Sequence, residues 1–135
     1  MATTPNSIIT PQTPKSSNAA CTTANTTYTT SPTNTVALVT AGANGARVTR
    51  IGATPLATVT ATQLQLFRSR DAGTTKYFFD SALMAAYTMA QTTEASTTDF
   101  GYSDSNPLIL AANEVIYAAI GVTGSVTFNA EYSDY

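Results

Sequence analysis

The chain has 135 residues, room for one domain, and its composition excludes several classes of function. Hydrophobic residues make up 43% and charged residues only 10%, whereas an ordinary soluble domain carries about 25% charged residues. There are 27 Thr and 22 Ala but no His and only one Cys, so the commonest acid-base group is missing and an intramolecular disulfide is excluded. These counts predict a non-enzymatic protein without a cofactor, in a structural or interaction role.

Charge is divided unevenly along the chain. Residues 1–70 carry five basic side chains and no acid, whereas residues 71–135 carry Lys76 against eight acids, a net charge of −7. One interpretation is that the two parts pair within a β-sheet and neutralise each other. The alternative is that complementary patches orient neighbouring subunits. Five dispersed basic residues without interleaved aromatics do not predict a nucleic-acid partner.

The first 34 residues differ in composition from the rest. The start, MATTPNSIITPQTPKSS, lacks a secretory signal, and no run is long enough to span a membrane, so we expect synthesis in the cytoplasm and no membrane partner. Thr, Ser, Asn and four Pro dominate residues 1–34, with Ile8 and Ile9 as the only large aliphatic side chains. This predicts an extended N-terminal arm that becomes ordered against a partner; the alternative is a plain disordered terminus.

Residues 35–135 are predicted to form the folded domain. Thr35–Ala41 and Arg47–Ile51 read as strands, and the Asn-Gly pair in the segment 42–45 between them predicts a tight hairpin. Residues 56–68 read as the longest strand, with a change of apolar face that predicts a bulge or bend near Thr62.

The second half continues in short β-rich runs. Residues 76–80, 107–110, 115–122 and 125–132 are predicted strands, and the last alternates cleanly between apolar and polar residues. Between Ser81 and Gln91 the apolar spacing fits one face of a helix, or else an extended Ala-rich crossing of the sheet. Seven or eight short strands in about 100 residues predict an all-β fold, a compact antiparallel β-sandwich or jelly roll.

The segment 98–106 holds the residues best suited to chemistry. Asp99 and Asp104 are candidates for carboxylate hydrolysis, or with Asn106 for holding a hard cation. Neither spacing matches an established motif, so a turn held by Asx hydrogen bonds is favoured and we predict neither a catalytic nor a metal site. Phe100 and Tyr102 in the same segment suggest a further alternative, a carbohydrate-binding sandwich.

Three further residues stand out on chemical grounds. Cys21 lies in the polar arm, which predicts an exposed free thiol, or else an interchain disulfide or contact. Tyr135 is a candidate interface residue, because Tyr offers a large contact area at a small entropy cost. Asn25 begins an Asn-Thr-Thr glycosylation sequon, which we take as accidental because no secretory signal precedes it.

Several stretches together carry a family resemblance. They are the Thr/Pro-rich entry Thr3–Thr33, the run Ala57–Phe67 leading to Asp71–Lys76, and the ending Ala118–Gly124. With these features the chain resembles small virion structural proteins of tailed bacteriophages, in particular capsid decoration or cement proteins. The resemblance implies a β-rich, non-enzymatic protein, often trimeric, whose arm docks on the major capsid protein.

These expectations combine into one hypothesis. The chain binds the outside of a phage capsid lattice as a homo-oligomer, with a trimer favoured, and stabilises the lattice. A tail, neck or fibre component of the virion is the alternative within the same class. The expected partner-binding residues are Ile8 and Ile9 as apolar anchors and Arg47, Arg50, Arg68 and Arg70 as a basic patch.

Overall fold

The computed structural model describes residues 10–135, which form nine β-strands and no helix. The predictions made for Ile8 and Ile9 lie outside the described residues. The strands are β1 (Thr13–Cys21), β2 (Val36–Thr40), β3 (Ala46–Pro55), β4 (Thr62–Ser69), β5 (Tyr77–Met84), β6 (Thr98–Asp99), β7 (Leu108–Leu110), β8 (Val115–Ile120) and β9 (Val126–Asp134). The predicted all-β class is confirmed.

Two antiparallel sheets pack face to face. Sheet A has the order β1-β9-β3-β6, with β7 also paired to β3, and sheet B has the order β2-β8-β4-β5. Each of the first three connections leads from one sheet to the other. The chain resembles one long antiparallel hairpin whose tip lies between β4 and β5. This hairpin is rolled up so that its strands form two layers. This is the topology of a jelly roll, and the predicted sandwich is confirmed.

The core lies between the two sheets and is built from small and branched side chains. On β9 the alternation predicted from the sequence is observed, since Val126, Phe128 and Ala130 are buried while Glu131 is exposed. Because several Ala residues fill core positions, part of the alanine surplus is explained by close packing of the sheets. The sheet B side of this core is formed by Leu64, Leu66, Ile116, Ala118 and Ile120.

The predicted helix between Ser81 and Gln91 is wrong, and the extended alternative is observed. Strand β5 continues to Met84, and beyond it Tyr87 exchanges backbone hydrogen bonds of 2.9 Å with Val59. Met84 is fully buried whereas its neighbour Leu83 is 73% exposed, which is the alternation of a strand. Spacing of Ala and Leu alone does not distinguish a helical face from such an edge.

The hairpin predicted at the segment 42–45 is also wrong. The turn itself forms, with Gly45 at a φ of 87° and its N–H donating to the Gly42 carbonyl at 3.1 Å. However, β2 belongs to sheet B and β3 to sheet A, so the flanking strands do not pair. A side chain at Gly45 would collide with the carbonyl oxygen of Leu110, so glycine is required there for space as well as for conformation.

The bend predicted near Thr62 marks the true start of a strand. Strand β4 begins at Thr62, and of residues 56–61 only Val59 makes a β-bridge. The apolar residues before and after Thr62 therefore fall on different faces because the former lie in a loop and the latter in a strand. The register shift between Leu66 and Phe67 leaves Phe79 as an extra residue in β5, so Phe78 joins Phe67 on the outer face of sheet B and their rings pack together.

Most of the predicted arm belongs to the sandwich. Strand β1 pairs with β9 along its whole length, from Thr13 opposite Asp134 to Cys21 opposite Val126. Residues 22–35, which we term the strap, then cross the outer face of sheet B. Tyr28 packs there edge-on against Phe78, with ring centroids 5.1 Å apart. The domain boundary thus moves from residue 34 to a point before Thr13, and only residues 1–12 remain candidates for an arm.

Candidate interaction surfaces

The four arginines predicted to form one basic patch lie in two separate places. Arg47 and Arg50 are on β3 in sheet A, whereas Arg68 and Arg70 lie at the end of β4 in sheet B. Sequence reasoning grouped them by sign of charge, which carries no information about the sheet that each strand joins. The structure therefore does not bring these four residues together.

Charge in the described residues is neutralised between the two parts of the chain. Each ion pair joins a base from residues 1–70 to an acid from residues 71–135, so the first of the two interpretations of the charge division is observed. The pairs are Lys15–Asp134 (2.6 Å), Arg47–Asp104 (3.1 Å), Arg50–Asp99 (3.7 Å), Arg50–Glu131 (3.9 Å), Arg68–Glu114 (3.4 Å) and Arg70–Glu114 (3.0 Å). Little uncompensated positive charge remains for a partner.

Glu114 is the buried centre of the sheet B cluster. Its side chain is 2% exposed, and its Oε2 faces the Nε atoms of Arg68 and Arg70. Its Oε1 accepts a hydrogen bond of 3.1 Å from the Ala111 N–H. Arg68 also lies over the ring of Phe79, 4.8 Å from its centroid. The two guanidinium groups contact Oε2 as ion pairs without a hydrogen bond to it, so they offset only part of the cost of burying this carboxylate. Sequence reasoning did not single out Glu114.

Both ends of the described chain meet at one end of the sandwich. The Gln12 N–H donates to the Asp134 carbonyl at 2.7 Å, and the Tyr135 N–H donates to the Gly45 carbonyl at 3.2 Å. Lys15 pairs with the Asp134 carboxylate, and this contact raises the pKa of the lysine. Tyr135 therefore lies close to the point where residues 1–9 join the sandwich.

The outer side of sheet A carries a group of small, mostly polar side chains, here termed the polar face. Because Ala19 and Cys21 on β1 point into the core, the alternate residues of β1 and its neighbours point outward. At its centre the Asn18 amide donates to the Asn129 carbonyl oxygen at 2.6 Å. The polar face consists of Ser16, Asn18, Ala20, Thr54, Thr127 and Asn129.

The expected exposed thiol at Cys21 is instead a core group. Cys21 is 1% exposed, and its Sγ lies 3.5 Å from the Ala118 carbonyl oxygen. Burial raises the pKa of the thiol from 9.0 to about 11. At the end of β1, Ala19 and Cys21 point into the core. The polar residues around them give no indication of this in the sequence. The folded sandwich therefore leaves Cys21 no route to an interchain contact.

A thiol reagent at pH 8 should modify Cys21 only as fast as the sandwich opens, because the sulfur is buried and protonated. Neighbouring Ala20 is exposed, so Ala20→Cys in a Cys21→Ala background is a matched control that should react like a free thiol. The absorbance change of a chromogenic thiol reagent, followed by stopped flow where needed, measures both labelling rates. Equal rates for the two thiols would contradict the burial of Cys21.

The same thiol gives stability a dependence on alkaline pH. In the unfolded chain it ionises near its ordinary pKa, while the folded value is about 11. The contribution is therefore fully present below about pH 9 and is lost as the pH rises toward 11. Urea unfolding at pH 8 and pH 10.5 should show a smaller loss for Cys21→Ala than for the original chain.

The aromatic residues of segment 98–106 close one side of the sandwich. Phe100 stacks on Phe128 with ring centroids 6.3 Å apart. The Tyr102 hydroxyl donates to the Asp80 carboxylate at 2.6 Å. The pKa of this tyrosine is raised, mainly because the side chain is partly buried and in second place because of this hydrogen bond. Because both rings are engaged with the body of the protein, neither is a free platform for a sugar.

The two carboxylates of that segment are engaged in local contacts. Asp99 accepts from the Gly101 N–H at 2.7 Å and pairs with Arg50, whereas Asp104 pairs with Arg47. Among residues 10–135, no three side chains of the types His, Cys, Asp and Glu come together as a metal site would require. The Asx-turn interpretation fits the contact of Asp99.

A buried amide pair fastens the strap to sheet B. Asn25 and Gln65 are both fully buried, and the Asn25 amide donates to the Gln65 carbonyl oxygen at 2.8 Å. The Asn25 side chain also accepts from the N–H groups of Thr27 and Thr33. Asn25 is therefore inaccessible for glycosylation in the folded chain. The sequence offered the sequon but no signal for this packing role.

The chain matches no known family model, and no curated protein or solved structure is significantly similar to it. Within the described part of the chain there is no helix long and apolar enough to cross a membrane.

Proposed function

We propose that this protein is a non-enzymatic virion component that binds the outside of a tailed-phage capsid lattice and stabilises it. The observation that carries the proposal is the neutralised surface: with 10% charged residues and the bases of residues 1–70 paired to acids of the same chain, little charge is left to keep a free monomer apart from its neighbours. Such a surface suits a subunit packed among others.

Fold and family resemblance lend further support. Jelly rolls occur in viral capsid and lectin domains, although a fold by itself does not fix a function. The resemblance to decoration proteins adds a trimeric assembly at the capsid surface after synthesis in the host cytoplasm. A lectin-like role receives less support, because Phe100 and Tyr102, on which it rests, are packed against the body of the protein.

The docking contact is assigned to the chain preceding β1. Ile8 and Ile9 supply apolar anchors, and the residues after them enter the sandwich beside Tyr135. The polar face offers a second contact area of small side chains. The arginines of the predicted basic patch stabilise the subunit through ion pairs with acids of the same chain, which reduces the charge that they offer to the lattice. These arginines are Arg47, Arg50, Arg68 and Arg70.

Deleting residues 2–9 should abolish lattice binding and leave a folded sandwich, because β1 and the hydrogen bond from Gln12 to Asp134 are retained. The double substitution Ile8→Ser and Ile9→Ser should weaken binding by roughly 100-fold or more, since each buried Ile contributes about 1.5–3 kcal/mol. Thr3→Ser with Thr4→Ser is the matched control and should bind normally. Co-sedimentation with phage heads measures binding, and a truncated protein that binds like the full chain would remove the arm from the proposal.

A further inference from the structure

The two sheets are built by strict alternation of early and late strands. We term residues 1–70 the N-half, which contributes β1 to β4, and residues 71–135 the C-half, which contributes β5 to β9. In the orders β1-β9-β3-β6 and β2-β8-β4-β5, every neighbour of an N-half strand comes from the C-half, and β7 also pairs with β3. In the described chain, all seven strand pairings thus cross between the halves.

It follows that neither half can form a native strand pair by itself. Each described strand is paired only with strands of the other half, and no two of these strands from the same half pair with each other. A strand without a neighbour leaves its backbone N–H and C=O groups unpaired. Separated from its complement, each half is therefore expected to remain unfolded.

The charges of the two halves favour pairing between unlike halves. The N-half has five basic residues and no acid, and the C-half has a net charge of −7. All six ion pairs in the described residues join one half to the other. Two N-halves or two C-halves would instead bring like charges together, which disfavours the wrong association.

One turn connects the halves covalently. It runs from Arg70 to Lys76, between β4 and β5, and the Asp71 carboxylate accepts from the Ser69 hydroxyl and from the Thr75 N–H, each at 2.8 Å. Ala72 and Gly73 adopt φ values of 58° and 93°. No strand passes through this turn, so the sheets do not depend on its continuity.

We infer that the N-half and the C-half are mutually obligate binding partners, which recognise each other within one chain and also between two copies of the chain. The partner is thus a second copy of this protein, offering the complementary half in an exchanged arrangement. In one chain the short connection keeps the matching half close and favours the closed monomer. At high local concentration, or when one half is defective, exchange supplies the missing strands.

The test mixes two full-length variants, each with one disabled half. Ile51→Asp places a charge at a core position that the N-half supplies, and Phe128→Asp places one at a core position that the C-half supplies. Both positions are fully buried. Each variant alone should be unfolded by circular dichroism. Mixed, they should form a 1:1 heterodimer with one cooperatively melting sandwich per two chains, built from the two intact halves.

A matched control carries both defects in the same half. A mixture of Ile51→Asp and Leu66→Asp has no intact N-half and should stay unfolded. The heterodimer should dissociate about tenfold more readily in 1 M salt than in 0.05 M salt, because screening weakens the attraction between the halves. A complementing mixture that is no more folded than the control would overturn the inference, and so would a salt-independent dimer.

A second measurement does not depend on substitutions in the core. A protease site inserted between Ala72 and Gly73 of the full chain allows the turn to be cut after folding. The cut protein should remain a 1:1 complex on native mass spectrometry and refold after complete denaturation. Separation of the two pieces under native conditions, or cooperative melting of either piece alone, would overturn the inference.

Discussion

Replacing Glu114 by Ala should lower the free energy of unfolding by about 2–3 kcal/mol, because it removes a buried side chain and leaves the partly buried Arg68 charge and the Ala111 N–H without their partner. The side chain is 2% exposed and is the shared partner of Arg68 and Arg70. Its loss also leaves the Ala111 N–H without its acceptor, the Oε1 atom. Equilibrium unfolding in urea, monitored by circular dichroism, measures the change.

Glu131→Ala provides the control for that substitution. Glu131 pairs with Arg50 across 3.9 Å at the surface, where its side chain is 56% exposed. Exposed ion pairs contribute about 0–1 kcal/mol, so this variant should unfold close to the original midpoint. If Glu114→Ala were no more destabilising than Glu131→Ala, the cluster around Glu114 would not be a stabilising element of the sandwich.

Replacing Asn25 by Ala should lower the free energy of unfolding by about 3 kcal/mol, since a buried polar group left without its partner costs about 1–3 kcal/mol and several are affected. The Gln65 carbonyl oxygen loses the amide at 2.8 Å, and the N–H groups of Thr27 and Thr33 lose their acceptor. The same urea titration applies. Backbone amides of residues 25–33 should also exchange faster with solvent, because the strap is released from sheet B.

Asn18→Ala is the matched control. Asn18 also bonds to an amide side chain, that of Asn129, but it does so on the exposed polar face, so water replaces the lost contact. Its effect should stay within about 0.5 kcal/mol. Equal effects of the two substitutions, or unchanged exchange rates in the strap, would contradict the role assigned to Asn25.

Alternation allowed the late strands to be predicted. In β9, Val126, Phe128, Ala130 and Tyr132 are buried, and their period of two follows directly from the geometry of a strand with one face in the core. Strand β1 was hidden because its first residues are exposed at the sheet edge, and only Ala19 and Cys21 contact the core. A strand with so few apolar residues resembles a mobile arm in composition.

Local signals also failed where the pairing of strands decided the outcome. The Asn-Gly turn at residues 44–45 sets a local conformation but does not determine whether β2 pairs with β3 or with β8. Similarly, Ala and Leu spacing after Ser81 matched a helix, although the chain there forms the edge of sheet B. Each outcome depends on a partner strand that no local signal specifies: β2 pairs with the distant β8, from Thr40 opposite Val115 to Val36 opposite Ala118, whereas β5 pairs with the preceding strand β4.

The candidate surfaces were partly predictable. The division of charge between the two parts of the chain correctly suggested neutralisation, since cross-strand pairs bring opposite charges together. The position of each base could not be inferred, because Arg50 and Arg68 enter different sheets. The polar face required knowledge that β1 lies beside β9, which places Asn18 against Asn129.

Binding of the full-length chain to phage heads tests the central proposal most directly. A search of the neighbouring genes for a major capsid protein supplies the probe, a head assembled from that protein, and cryo-electron microscopy locates the bound copies. We expect regularly spaced copies on the outer capsid surface, arranged in threes, and greater resistance of the decorated heads to heat. Absence from heads, or localisation to tails, neck or fibres, would contradict the proposal.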